Sequence, residues 1–220
     1  MSDLLPYSVC MNDARYQLYY VHDPMCSWCW AFRQVWNEVR AALPDEINII
    51  SLLGGLAADS DTTMPMYQQA NIRQYWQTIQ RQVPGTRFNF DFWTQCTPRR
   101  STYPACRAVI AAGKQGQQHE ETMILAIQQA YYLQAKNPSD ADVLIDLADG
   151  LGLDEARFAA DLQSQKTQAR LHRECEMARK IGAQGFPSLI VARKDSYQCV
   201  PIDYCDAGLM LQRLRALLAI

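Results

Sequence analysis

Long apolar runs, blocks of one charge and repeated segments are all missing from this chain. No stretch approaches the roughly 20 apolar residues that a membrane-spanning helix needs, so an α-helical span is excluded and no membrane partner is expected. The formal net charge is −2 with no basic run, which lacks the electrostatic footprint of a nucleic-acid binder; the pair Arg99-Arg100 reads as a solvated turn. The opening residues, Met1-Ser2-Asp3-Leu4-Leu5-Pro6-Tyr7, carry no basic start followed by an apolar stretch and a small-residue cleavage site. A cytoplasmic location is therefore expected. Histidine is scarce, with 3 in 220 residues; His119 and His172 sit in polar helical contexts and are expected at the surface, while the sequence leaves His22 open.

Hydrophobic residues make up 49% of the chain, enough for a sizeable core. Cysteine is plentiful, at 8. In a secreted protein that number would suggest a disulfide framework, but in a reducing compartment a lone C-x-x-C is catalytic or metal-binding. Cys26-Ser27-Trp28-Cys29 is that motif. It follows an apolar strand candidate, Gln17-Leu18-Tyr19-Tyr20-Val21, and a break at Asp23-Pro24. It precedes Ala31, Phe32, Val35, Trp36, Val39 and Leu43 at helical spacing. The pair thus opens a helix, where unpaired N–H groups and the positive end of the macrodipole favour an anion. Cys26 is expected as the nucleophilic thiolate and Cys29, one turn inside, as the resolving thiol.

The other cysteines are read more plainly. Cys106 and Cys175 lie on apolar helical stripes and are expected as core residues. Cys199 and Cys205 flank a short segment and are candidates for a second redox pair. Cys10 and Cys96 have no assignable partner.

Ile47 to Leu53 predicts a buried strand ended by Gly54-Gly55, giving a βαβ start with parallel pairing. From about Asp61 to Leu162 the signals are helical. Met66 to Val83 predicts one helix, Pro104 starts another that ends around Gly113 or Gly116, and Met123, Ile124, Ile127, Ala130 and Tyr131 mark a third. Ser139 with Asp142 resembles a capping box, and Asp154 caps a short helix. Thr167 to Ile181 predicts a helix ended by Gly182. Gly185-Phe186-Pro187 then leads into the strand Ser188 to Ala192, Lys194-Asp195-Ser196 turns the chain, Tyr197 to Ile202 returns antiparallel, and a last helix carries Met210, Leu214 and Leu217.

These residues resemble the DsbA-like branch of the thioredoxin superfamily. Asp23-Pro24-Met25-Cys26-Ser27-Trp28-Cys29-Trp30, Leu53-Gly54-Gly55-Leu56 and Gly185-Phe186-Pro187-Ser188-Leu189 look closest to cytosolic FrnE-type protein-disulfide isomerases. The resemblance implies an α/β thioredoxin-like fold, a βαβ unit and a ββα unit forming one mixed sheet. Residues 1–60 and 165–220 would form that domain and residues 61–164 an inserted helical one. It implies catalysis by Cys26 and Cys29, and a cis-proline at Pro187 that turns the Phe186 backbone toward an extended substrate. Trp28, Phe186 and Pro187 are the expected substrate-binding residues, within an apolar rim that includes Met25 and Trp30. Of these, Trp28 is expected to be the most exposed, with Trp30 and Phe186 in the core. No metal and no organic cofactor is implied; electrons pass through the Cys26-Cys29 disulfide. The expected partners are protein or peptide thiols and disulfides, with glutathione as an exchange partner.

Two departures bear on direction. Six residues before the first cysteine, relatives carry a buried carboxylate; here Tyr20 stands there, with His22 and Asp23 as nearer candidates. Ser27-Trp28 replaces the Pro-His of strongly oxidising relatives, which implies a less oxidising couple.

Three other readings compete. Kappa-type glutathione transferases and 2-hydroxychromene-2-carboxylate isomerases share the insertion topology, but carry serine where Cys26 stands and lack Cys29. Zinc binding would need two ligands beyond the pair, and a second close C-x-x-C is absent. A redox-switched interaction protein would use the same disulfide without turnover.

Overall fold

The computed structural model describes residues 17–193 and 196–218; the amino-terminal segment with Cys10, and Lys194 and Asp195 of the expected turn, lie outside them. Strand β1 (Gln17–His22) alternates its side chains between two apolar layers. It pairs in parallel with β2 (Asn48–Leu53) and antiparallel with β3 (Ser188–Arg193), and β4 (Ser196–Val200) completes the order β2-β1-β3-β4.

Helix α1 (Ser27–Ala42) is the crossover between β1 and β2. Its Phe32, Val35, Trp36 and Val39 pack with Leu18 and Tyr20 on one sheet face, joined by Met210, Leu214 and Leu218 of the carboxy-terminal helix. On the other face Tyr19, Val21 and Ile190 meet Ala178 and Ile181. The strand expected at 47–53 is less buried than its composition suggests. It is the sheet edge, and within β2 itself only Leu52 and Leu53 are buried.

Between β2 and β3 come α2 (Met66–Gln82), α3 (Phe92–Gln95), α4 (Tyr103–Gly113), α5 (Gln118–Leu133), α6 (Ala141–Gly150), α7 (Glu155–Leu162) and α8 (Gln165–Lys180); α9 (Ala207–Leu218) follows β4. Trp76, fully buried, is the hub of the helical layer, with Phe88 stacked at 4.9 Å and Phe92, Trp93, Tyr131 and Tyr132 around it. The single-turn α3 escaped the sequence reading because four residues show no period.

Asp154 caps α7 as expected, accepting from Arg157 N at 2.9 Å, and Ser164, which was not anticipated, caps α8 through Thr167 N at 3.2 Å. The box expected at Ser139 does not form. Asp140 is the N-cap residue of α6 and makes no side-chain cap bond, while the Ser139 hydroxyl donates to the buried carbonyl of Ser101 at 2.7 Å. Arg99 is likewise no solvated turn residue: Nη2 donates to Ser139 O at 2.6 Å and pairs with Asp140 at 2.7 Å.

Candidate active site

Cys26 is the N-cap residue of α1, its backbone extended at φ −82°, ψ 117°. Its amide donates to Asp23 O at 3.0 Å and its carbonyl accepts from Trp30 N at 3.1 Å, so the helix begins on the cysteine itself. Both thiols are free. Cys26 keeps 6% of its surface exposed and Cys29 none, which makes the first sulfur the reachable one. Burial pushes the Cys29 thiol well up from its usual range, and the adjacent Cys26 thiol adds to the shift. A buried neutral thiol one turn inside an accessible one is suited to acting second.

The approach to Cys26 is shaped from 160 residues away. The Phe186-Pro187 peptide is cis, and Cys26 Sγ donates to the Phe186 carbonyl at 3.3 Å. The Phe186 ring lies where a Cβ on Gly54 would stand, so that glycine is needed for close approach. Gly54 N in turn donates to His22 O at 2.7 Å. Gly55 adopts φ +64°, and a Cβ there would come within 2.6 Å of Cys175 Sγ. The two glycines thus seat the proline loop above and the core thiol beneath.

Asp23 is fully buried and holds this junction together. Oδ1 accepts from Met25 N at 2.8 Å; Oδ2 accepts from Leu56 N at 2.7 Å, Thr102 Oγ1 at 2.6 Å and Cys106 Sγ at 3.5 Å. Burial raises its pKa and these bonds oppose the rise. Turn-shaping was one expectation for Asp23, and the Met25 bond does that. The ties to Leu56 and to α4 were not legible. Cys106 is therefore a core residue with a polar contact, whereas Cys175 is buried with its Sγ 3.6 Å from Leu53 O.

Of the two nearer candidates for the carboxylate that Tyr20 replaces, Asp23 is the buried acid, and its charge adds to the upward shift of the Cys29 thiol, after burial and the Cys26 thiol; Tyr20 itself is packed away. Its ring stacks between His22 at 4.8 Å and Trp36 at 4.6 Å. His22 is buried, hydrogen-bonds to Ser51 Oγ at 2.9 Å, and titrates near a pKa of about 4, first because of burial and then because of Arg33. His172 is exposed and His119 partly so.

Trp28 and Trp30 are both half-buried, so Trp30 is not the core residue expected. Trp30 donates Nε1 to Arg87 O at 3.1 Å and stacks on Tyr132 at 5.7 Å. Trp28 meets Tyr204 at 4.8 Å between ring centroids. Phe186 is half-buried too, while Met25 and Pro187 are buried. Tyr204 was missed; its signal was an aromatic residue beside Asp203 in the short connection before α9. Its ring contact with Trp28 places it beside the motif; burial raises its pKa and the Cys26 and Cys29 thiols raise it further.

Cys199 and Cys205 are not brought together. Cys199 pairs in register with Ile190 and points Sγ toward Gly182 O at 3.9 Å, on the α8 face. Cys205 donates to Gln82 O at 3.4 Å, against the end of α2. Cys96 donates to Ala135 O at 3.0 Å. Among the described residues no three His, Cys, Asp or Glu side chains gather as metal ligands. No described helix is long and apolar enough to cross a membrane.

A family model described as Thioredoxin matches residues 19–202. The chain is similar to a Nitrosomonas europaea protein provisionally described as a disulfide isomerase, at 26% identity and a TM-score of 0.80, covering 93% of this chain and 98% of that one. The fold is also that of the cytosolic disulfide reductase DsbM from Pseudomonas aeruginosa, at 21% identity and a TM-score of 0.72 over 92% of this chain and 98% of that one, a protein also solved with glutathione. Among characterised sequences it matches the ClpXP adapter protein SpxH of Halalkalibacterium halodurans at 23% identity, covering 79% of this chain and 58% of the relative's length. The family match over most of the chain establishes that the chain belongs to the thioredoxin family, and the mixed four-stranded sheet with its helical insertion agrees with it.

Proposed function

We propose that this protein is a thiol-disulfide oxidoreductase acting on protein or peptide disulfides in the cytoplasm. The observation that carries the reading is the placement of the Cys26 sulfur, the less enclosed of the two, 3.3 Å from the Phe186 carbonyl, with Cys29 fully enclosed behind it. In the reducing direction the Cys26 thiolate attacks one sulfur of the substrate disulfide. That S–S bond breaks, a mixed disulfide forms and one substrate thiolate leaves. Cys29 loses its proton and attacks Cys26 Sγ. The second substrate thiolate leaves, and the Cys26-Cys29 disulfide holds the two electron equivalents of oxidation. Two thiols of the glutathione class return the pair to the dithiol: the first opens it as a mixed disulfide, the second displaces the protein thiolate, and the two leave joined as their own disulfide; the glutathione-bound DsbM supports that choice. Run backward, the same steps oxidise a dithiol. The Phe186 backbone pairs with the substrate chain and Trp28 lies against its side chains.

Insulin reduction tests the assignment. Cys26→Ala should abolish turnover, and Cys29→Ala should accumulate mixed disulfides through Cys26. Retained turnover in Cys26→Ala sinks the reading. The match to SpxH adapters supports a second one, in which the same pair switches a protein-binding surface. A wild-type protein that captures a partner in one redox state without turning over any disulfide would favour it.

A further inference from the structure

Among the described residues, the buried side-chain polar atoms without a hydrogen-bond partner are Trp76 Nε1, Trp93 Nε1, Arg99 Nε and the Tyr132 hydroxyl. An unpaired group of this kind costs stability, so its presence calls for a reason. Tyr132 is fully buried, and of these four side chains it is the one whose ring stacks on the cysteine helix, through Trp30.

The register of two helices sets where that hydroxyl stands. Arg40 of α1 pairs with Glu121 of α5 at 3.4 Å, Arg33 donates to Glu121 at 2.7 Å and to Gln128 at 3.0 Å, and Trp30 stacks on Tyr132 at 5.7 Å. The two helices are therefore antiparallel. Descending α1 by about 15 Å from residue 40 to residue 30 ascends α5 by about 16 Å from residue 121 to residue 132. Tyr132 is thus level with the first turn of α1, which carries the thiols. At about 100° per residue, Cys29 projects about 40° from Arg33 and about 20° from Arg40, on the side of α1 that faces α5.

The charges agree with this placement. Burial holds the Tyr132 proton well above its usual range, and Tyr131, Cys26, Cys29 and Asp23 raise it further, so the phenol stays a donor at neutral pH. Cys29 has the complementary need. It must become a thiolate to attack Cys26 Sγ, and its full enclosure opposes that charge.

We propose that the Tyr132 hydroxyl is held unpaired so that it donates to the Cys29 thiolate when that anion forms in the resolving step, which makes Tyr132 a third catalytic residue; this rests on the thiol-exchange reading above. Tyr132 keeps its own proton. Cys29 Sγ bonds to Cys26 Sγ, the bond from Cys26 to the substrate sulfur breaks, and the proton lost by Cys29 ends on the departing substrate thiolate.

Tyr132→Phe removes the oxygen alone. Reduced wild type and variant are mixed with a peptide disulfide at a series of pH values and quenched in acid, and the Cys26 mixed disulfide is followed by mass spectrometry, with urea melts of both proteins. The mixed disulfide should form at the wild-type rate. Its decay should slow by about tenfold or more, and the rise of that decay with pH should move up by about one unit. The urea midpoint should not fall, because the lost hydroxyl had no partner. Unchanged decay, equal slowing of formation and decay, or a lower midpoint overturns the role of Tyr132 while leaving the thiol chemistry intact. A wild type that forms no mixed disulfide refutes the proposed function and this role with it.

Discussion

Replacing Asp23 by asparagine removes one oxygen from a buried junction and tests what holds the catalytic helix in place. In the wild type the carboxylate accepts from two backbone amides, Met25 N and Leu56 N, and from the Thr102 hydroxyl. In the amide one oxygen becomes an NH₂ donor. The Thr102 hydroxyl can rotate, since Ala57 O lies 3.4 Å away as an alternative acceptor. The Leu56 N–H cannot, and the orphaned amide costs about 1–3 kcal/mol. Losing a charge-assisted bond adds to this and removing a buried charge offsets it, leaving a net loss of about 2 kcal/mol. With a urea m-value of about 2 kcal/mol/M the midpoint should drop by about 1 M at pH 7. The pH dependence is fixed in sign. Burial raises the folded pKa of Asp23 above its unfolded value, so the folded state binds the proton more tightly. The group's contribution is then largest below the unfolded value and declines as pH rises through the folded one. Wild type should therefore lose stability relative to Asp23→Asn as pH rises above about 4. Equal urea midpoints at pH 7, or a difference that grows with pH, would refute the account of this junction.

Three further outcomes follow from other parts of the molecule. Gly54→Ala places a methyl group in the volume of the Phe186 ring; urea melts should show a loss of about 1–3 kcal/mol, and kcat/KM for insulin should fall with the displaced proline loop. His22, with its pKa held down to about 4, binds a proton more readily unfolded, so its contribution is complete above about pH 6.5 and is lost as pH falls toward 4. In His22→Phe the acid limb of the stability profile should flatten, and an unchanged limb would show that another group controls it. Trp76→Ala empties the centre of the helical aromatic cluster and should cost about 3–5 kcal/mol in a denaturant melt.

What could be read from the sequence was local. The C-x-x-C at the start of α1, Asp154 at α7 and Gly182 after α8 depend on neighbours within a turn or two, and helical period exposes them. The bonds that complete the candidate site are not local. Asp23 meets donors 33, 79 and 83 residues away, and nothing in Thr102 or Cys106 announces that role. Ser139 looked like a cap because its spacing fitted, yet its hydroxyl serves a carbonyl 38 residues distant. Cys199 and Cys205 seemed paired because they are close in sequence, whereas Cys199 sits on β4 with its sulfur toward Gly182 after α8 and the connection after β4 carries Cys205 toward α2. Trp30 was taken for core because large aromatics usually are, but its indole nitrogen reaches a loop carbonyl near the surface.

The carboxylate of Asp23 has a consequence for anyone who treats the chain as two transplantable modules. Thr102 and Cys106 reach the catalytic half from α4. Excising the helical segment to obtain a minimal redox domain would leave a buried anion with two of its donors gone, beside the turn that launches the cysteine helix. A shortened scaffold should therefore carry a hydroxyl replacement for Thr102 or a neutral residue at position 23, and swapping the helical layer between relatives should succeed where that donor travels with it.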